Sequence, residues 1–366
     1  MGIRRFHPSP ITHHPSPITH HPSPITHHPS PIHKGDPPMA LGKLIDGKWT
    51  TEWTERDDSG QFKRMPTLFH DWITADGSSG FKAEPGRYHL YVSLGCPWAH
   101  RTVLLRSLKG LQDVISLSIV DPVISDQGWK FSERWGSIPD SLYGADYLWQ
   151  IYTRAKADYS GRVTVPVLWD KEAQTIVNNE SRQIIQMLNS EFNEFAAFPD
   201  SRSDPFRNRD FYPEALRSAI DAAMDAIYQP INNGVYRSGF AASQAAYNGA
   251  VTELFEALNH WEEVLGQQRY LVGDPITLAD WCLFTTLFRF DLAYHGLFKT
   301  NLKRLVDFPN LWAYCRDLYQ QPGVAEWCST EHVKQLYYAG LPELNPSGIV
   351  PTGPEIDYGL AHGRDR

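Results

Sequence analysis

The run Gly95-Cys96-Pro97-Trp98-Ala99-His100-Arg101 constrains this 366-residue chain more than any other stretch. Before it, Tyr88 to Leu94 alternates aromatic or aliphatic residues with small polar ones, the period of a strand. After it, Ala99, Val103, Leu104 and Leu108 recur three to four apart and Gly110 closes the run, so this stretch reads as a helix. Pro97 fits the first helical position, where its missing N–H costs nothing. Cys96 therefore stands on a strand-to-helix corner, over the unsatisfied N–H groups of the helix start. Those groups and the positive end of the macrodipole favour thiolate over thiol. Two other readings compete. Cys96 is a small buried hydrophobe in the first. In the second it pairs with His100 as a hydrolase, a spacing that permits contact but shows no orienting third residue. The fourth position of Cys-Pro-Trp-Ala is Ala99, so a mixed disulfide on Cys96 has no resolving thiol in the motif. An external thiol has to release it, and glutathione is the obvious one.

A second strand over 114–120 completes a βαβ unit with a parallel pair. Residues 121–162 form a long connection rich in aromatics, a length that is usually functional. Strands follow at 161–170, opened by Pro166, and at 175–177. Asn178-Asn179-Glu180-Ser181 then leads into a helix through Ile184 and Leu188. This order, β-α-β then β-β-α, is that of the thioredoxin fold. Residues 40–85 read as an irregular lead-in wrapped on the surface.

From Pro213 the pattern is helical only. Thr277 with Asp280 three residues on is a capping box, and Ile276 can staple on Trp281. The helix from Thr277 to about 292 is apolar nearly all round, the mark of a central buried helix. Another helix spans 311–319, and from Gly340 the chain reads as an extended tail. At the other end, residues 7–33 repeat His-Pro-Ser-Pro-Ile-Thr-His. Two prolines per period exclude helix, so the segment reads as disordered and polyproline-like, its paired histidines at most a weak metal site. The organisation expected is a 1–38 leader, a 39–200 thioredoxin-like domain, a 201–339 helical domain and a 340–366 tail.

Forty-two acidic against 34 basic residues, a net charge of −8, argue against nucleic acid as a partner. No apolar run has the length of a membrane span and no secretory signal is visible. Four widely spaced cysteines suit a reducing compartment, the cytoplasm. Twelve tryptophans are many, and some are expected to line an aromatic-binding cleft.

The corner motif, together with Arg-Val-Thr-Val-Pro-Val-Leu-Trp-Asp, Asn-Asn-Glu-Ser, Asn-Asn-Gly-Val-Tyr and Arg-Phe-Asp, resembles the glutathionyl-hydroquinone reductases, the omega-like xi class of glutathione S-transferases. The resemblance runs from about residue 40 to the end. It implies an α/β thioredoxin-like N-terminal domain and an all-α helical-bundle C-terminal domain. It also implies a homodimer that uses glutathione as co-substrate, with no metal and no nucleic-acid or membrane partner. The Val165–Pro166 bond is then cis, and the Val165 backbone is a template for the cysteinyl group. Glu180 and Ser181 hold the γ-glutamyl end, Arg162 meets the glycyl carboxylate and Trp129 packs on the peptide. Tyr236 and Tyr337 donate hydroxyls to the departing ring, with Tyr228 and Tyr294 as weaker candidates. The implied reaction removes glutathione from glutathionyl-hydroquinones through a Cys96–glutathione mixed disulfide. Its competitors are a general glutathione thiol transferase or dehydroascorbate reductase, and a non-catalytic assembly module. Glu180 and Ser181 as mere helix caps, Arg162 and Trp129 as surface residues, and the tyrosines as packing residues are the plainer alternatives.

Overall fold

The computed structural model describes residues 42–51, 57–196 and 210–365, which belong to one compact unit. The His/Pro repeat and the domain boundaries expected at 38 and at 200 lie outside the described residues. In chain order the strands are β1 (Lys43–Ile45), β2 (Lys48–Thr50), β3 (Ile73–Thr74), β4 (Phe81–Lys82), β5 (Tyr88–Val92), β6 (Ser116–Ile119), β7 (Gly161–Arg162), β8 (Val167–Asp170) and β9 (Thr175–Asn178). The helices are α1 (Pro97–Leu108), α2 (Leu148–Ala155), α3 (Ser181–Ser190), α4 (Arg217–Ile227), α5 (Gly234–Gly239), α6 (Gln244–Gln267), α7 (Leu278–Arg289), α8 (His295–Leu297), α9 (Pro309–Tyr319) and α10 (Thr330–Lys334).

A four-stranded sheet of order β6-β5-β8-β9 carries the first half. β5 runs parallel to β6, the βαβ unit read from the sequence, and antiparallel to β8, which pairs antiparallel with β9. The stretch 161–170 is not one strand. Gly161–Arg162 leaves the sheet to pair with β1, and a cis Val165–Pro166 bond turns the chain before β8. The lead-in is not merely irregular, since β1 pairs with both β2 and β7 in a small antiparallel sheet. The long aromatic connection contains α2, whose apolar face buries Leu148, Ile151 and Tyr152.

All twelve residues of α1 are buried, including His100, Arg101 and Arg106. The helix packs between α3 and α7, so its outer face meets the helical half instead of water. The helical half is organised on α7, which is buried at every position. Its N-terminus is held by the expected capping box: Asp280 accepts from the Thr277 backbone N–H (2.7 Å) and hydroxyl (2.8 Å). The buried carboxylate also accepts from Leu271 N (2.9 Å) and Tyr314 Oη (2.9 Å). After Arg289 the helix widens into a π-type turn, Phe290–Tyr294. Similar wide turns occur at Tyr228–Asn232, before α5, and at Gln335–Ala339, after α10. Such turns insert one residue, re-aim the side chains beyond them, and cluster at functional sites.

Candidate active site

The corner before α1 places its sulfur by local geometry. Cys96 is the N-cap residue, with extended backbone (φ −82°, ψ 124°), and Pro97 occupies the first turn. Its thiol donates weakly to the Val165 carbonyl at 3.9 Å, so Cys96 and the cis turn stand face to face. Gly95 is required by close approach: a Cβ there would lie 2.8 Å from His332 O and from Leu336 Cβ. The corner is fixed from the helical half by Arg289, a side chain with no solvent exposure. Its fork donates to Gly95 O (2.8 Å), Leu94 O (2.7 Å) and Thr285 O (2.6 Å).

Arg289 also donates to His100 Nδ1 at 3.1 Å. The ring hydrogen of His100 therefore sits on Nε2, which faces Cys328 Sγ at 3.7 Å. Burial and the Arg289 charge push His100 well below its usual pKa, so it is neutral at physiological pH. Both imidazole nitrogens are thus engaged away from Cys96, which removes the Cys–His hydrolase reading. The other thiols are poor nucleophiles, since burial pushes those of Cys282, Cys315 and Cys328 up.

Cys96 opens on a cleft of about 640 Å³ that Trp129, Arg162, Val165, Tyr236 and Tyr337 also line. Tyr152, missed by the sequence reading, braces the side of the cleft that carries Thr164 and Val165. Its hydroxyl donates to Thr164 O (2.8 Å) and accepts from Thr164 N (3.2 Å) and Asn179 Nδ2 (3.1 Å). One phenol thus ties the residues before the cis turn to those before α3.

Three tyrosines from three segments of the helical half meet at the far wall. Tyr337 Oη is 2.6 Å from Tyr236 Oη and 3.0 Å from Tyr294 Oη. The Tyr236 and Tyr294 hydroxyls interact with each other as well, so the three form a closed cluster, of which Tyr236 and Tyr337 line the cleft. Burial raises Tyr236 and Tyr337 well above the ordinary tyrosine range and Tyr294 to about 12, so all three keep their protons at neutral pH.

Not every expected residue joins this cleft. Glu180 caps α3 by accepting from Arg182 N (3.2 Å), and it receives the Thr67 hydroxyl at 3.3 Å. Ser181 Oγ accepts from Arg101 at 3.4 Å. Glu180, Arg101 and Tyr228 border a second cavity of about 820 Å³. Trp98 stands between the two, since it lines the first while its ring lies 5.8 Å from that of Tyr228. Tyr228 therefore faces away from the tyrosine cluster. Conversely, the lead-in supplies Phe62 and Arg64 to the cleft. Among the described residues no group of three or more His, Cys, Asp or Glu could hold a metal.

Family models for the glutathione S-transferase N-terminal and C-terminal domains match residues 95–191 and 244–317. The sequence is 46% identical to the glutathionyl-hydroquinone reductase YqjG of Escherichia coli (strain K12), over 89% of this chain and 99% of that protein. The chain belongs to the glutathionyl-hydroquinone reductases, the xi class of glutathione S-transferases. The fold agrees. The xi-class transferase from Natrialba magadii superposes with a TM-score of 0.82 at 48% identity, covering 89% of this chain and 97% of that one. The glutathione-bound structure of YqjG superposes with a TM-score of 0.79 at 45% identity, over 88% and 99%. The xi-class framework thus accounts for the thioredoxin-like sheet and the helical half.

Proposed function

We propose that the protein reduces glutathionyl-hydroquinones to hydroquinones at the expense of glutathione. The observation that carries this reading is one cleft holding Cys96 against the Val165 carbonyl on one side and the Tyr236–Tyr337 hydroxyl pair on the other. A named glutathionyl-hydroquinone reductase at 46% identity and a glutathione-bound relative support it.

The Cys96 thiolate attacks the glutathione sulfur of the conjugate. A sulfur–sulfur bond forms, the aryl carbon–sulfur bond breaks, and the electron pair goes to the ring. That departure is feasible when the ring is in its keto form, because the pair then becomes an enolate. A hydroxyl of the Tyr236–Tyr337 pair, turning from its neighbour into the cleft, stabilises the oxyanion, and protonation gives the hydroquinone. A second glutathione, as thiolate, attacks the glutathione sulfur held on Cys96, releasing oxidised glutathione and regenerating the Cys96 thiolate.

In this reading Val165 templates the cysteinyl backbone, Glu180 and Ser181 take the γ-glutamyl end, and Arg162 takes the glycyl carboxylate with Trp129 packed on the peptide. The thioredoxin-like half binds glutathione and the helical half supplies the hydroxyls. The setting is a reducing cytoplasm, which the four free cysteines support, and the working form is a homodimer, which light scattering tests.

The deciding experiment is turnover of a glutathionyl-hydroquinone with product identification, run beside intact-protein mass spectrometry without free glutathione. We expect hydroquinone as product and one glutathione added on the peptide bearing Cys96. Cys96→Ala should abolish both. Full turnover by Cys96→Ala, or discharge of the adduct as an internal disulfide with no glutathione added, would sink the reading.

A further inference from the structure

The cleft beside Cys96 is walled by aromatic and aliphatic side chains, and its lining includes two charged groups, Arg64 and Arg162, with no carboxylate. In the reductase reading both carboxylates of glutathione already have partners, the start of α3 and Arg162. Arg64 is left over.

Its guanidinium carbon lies 4.5 Å from the Trp98 ring centroid, and that of Arg101 lies 4.4 Å from the same ring. Two guanidinium groups that close to one indole have to take opposite faces, so Trp98 is held between them. Stacking fixes where Arg64 sits while its N–H groups, which lie in the guanidinium plane, stay free to donate. Among the described residues no hydrogen bond or ion pair engages them.

The segment that bears Arg64 is tethered to the tyrosine side of the cleft. Ala242 N donates to Gly60 O at 2.9 Å, and Ser243 Oγ donates to Ser59 O at 2.9 Å. Phe62 stacks on Phe240 at 5.6 Å, and Phe240 stacks on Tyr236 at 6.3 Å. A planar cation with free donors thus stands at the rim of an aromatic pocket.

We infer that Arg64 makes this cleft selective for glutathionyl conjugates whose aromatic ring bears an ionised acid, a carboxylate above all. The inference rests on the reductase reading for its substrate class. A carboxylate matches the guanidinium fork in shape and charge, whereas an uncharged ring gains only the apolar walls. For a half-exposed pair this is worth roughly fivefold in affinity.

The test compares the glutathionyl conjugates of hydroquinone and of 2,5-dihydroxybenzoate. Turnover is measured on the full chain and on Arg64→Gln and Arg64→Lys, and calorimetric binding on the same set carrying Cys96→Ser. The expected wild-type result is a KM and Kd about fivefold lower for the carboxylated conjugate. Arg64→Gln should collapse that ratio to near one, and Arg64→Lys should restore part of it. No preference in the wild type, or a ratio that survives Arg64→Gln, overturns the inference. If both conjugates bind but neither is turned over, the reductase reading fails on its own, and the binding ratio still decides the role of Arg64.

Discussion

At the residue scale, the proposed chemistry is divided between a sulfur and a phenol. Tyr337 is the middle member of the hydroxyl cluster, at 2.6 Å from Tyr236 and 3.0 Å from Tyr294. Removing its oxygen breaks both contacts and leaves the Tyr236 and Tyr294 hydroxyls to each other. The ring itself is 1% exposed and packs edge-on against Tyr294 and Phe298, contacts that phenylalanine keeps. Tyr337→Phe should therefore fold normally and lose roughly 10²-fold in kcat, the usual scale for one oxyanion donor. KM for glutathione should stay close to wild type, because the proposed glutathione site lies against the Val165 turn and the start of α3. Steady-state kinetics checks this. A variant with normal kcat would assign the proton to another group.

At the element scale, the corner, the Val-Pro turn and the helical half are legible in the sequence because each is a local pattern. A strand period changes to a helix period at Cys96, a proline follows a valine at the turn, and a capping box opens α7. What the sequence hid depends on long-range partners. Arg289 lies 194 positions from Gly95, and nothing in Arg-Phe-Asp marks it as a donor to the Leu94 and Gly95 carbonyls. Arg64 sits in a stretch without periodicity, whose fixed points are single tethers such as Gly60 to Ala242. The wide turns that aim Tyr236, Tyr294 and Tyr337 at one another leave no compositional signature, which is why Tyr228 and Tyr294 looked equivalent. The Arg289 contacts set a magnitude. Arg289→Met would leave three backbone carbonyls and the His100 imidazole without their donor, at ~1–3 kcal/mol for each buried orphan. Relaxation and partial rescue by water lower the sum, so a loss of about 3 kcal/mol in chemical denaturation is expected. A variant as stable as wild type would mean that the corner is held by its own packing.

At the scale of the whole molecule, the interior is built around histidines kept neutral and tyrosines kept protonated, and this shapes stability against pH from both sides. Burial depresses His89 to about 4, and His100 and His332 also fall below their usual value. The unfolded chain takes up these protons near pH 6.5 while the folded chain refuses them. Stability held above about 6.5 is therefore lost as the pH falls towards 4, and His89 alone accounts for about 3 kcal/mol at ~1.4 kcal/mol per tenfold. On the alkaline side, the raised tyrosines act the other way. Unfolded tyrosines ionise near pH 10, whereas Tyr294 holds its proton to about 12 and Tyr236 and Tyr337 hold theirs well above the ordinary range. Their contribution is complete below about 10 and is lost as the pH rises through the folded values. Denaturation midpoints measured from pH 4 to 11 should form a plateau between about 6.5 and 10 with losses at both ends. Because the same tyrosines are the proposed donors, turnover should show no decline from their ionisation anywhere on that plateau. Asp280 and Asp291, whose carboxyls burial pushes up, oppose this loss, so a midpoint that rises between pH 6.5 and 4 would show that these carboxyls outweigh the buried histidines on the acid side.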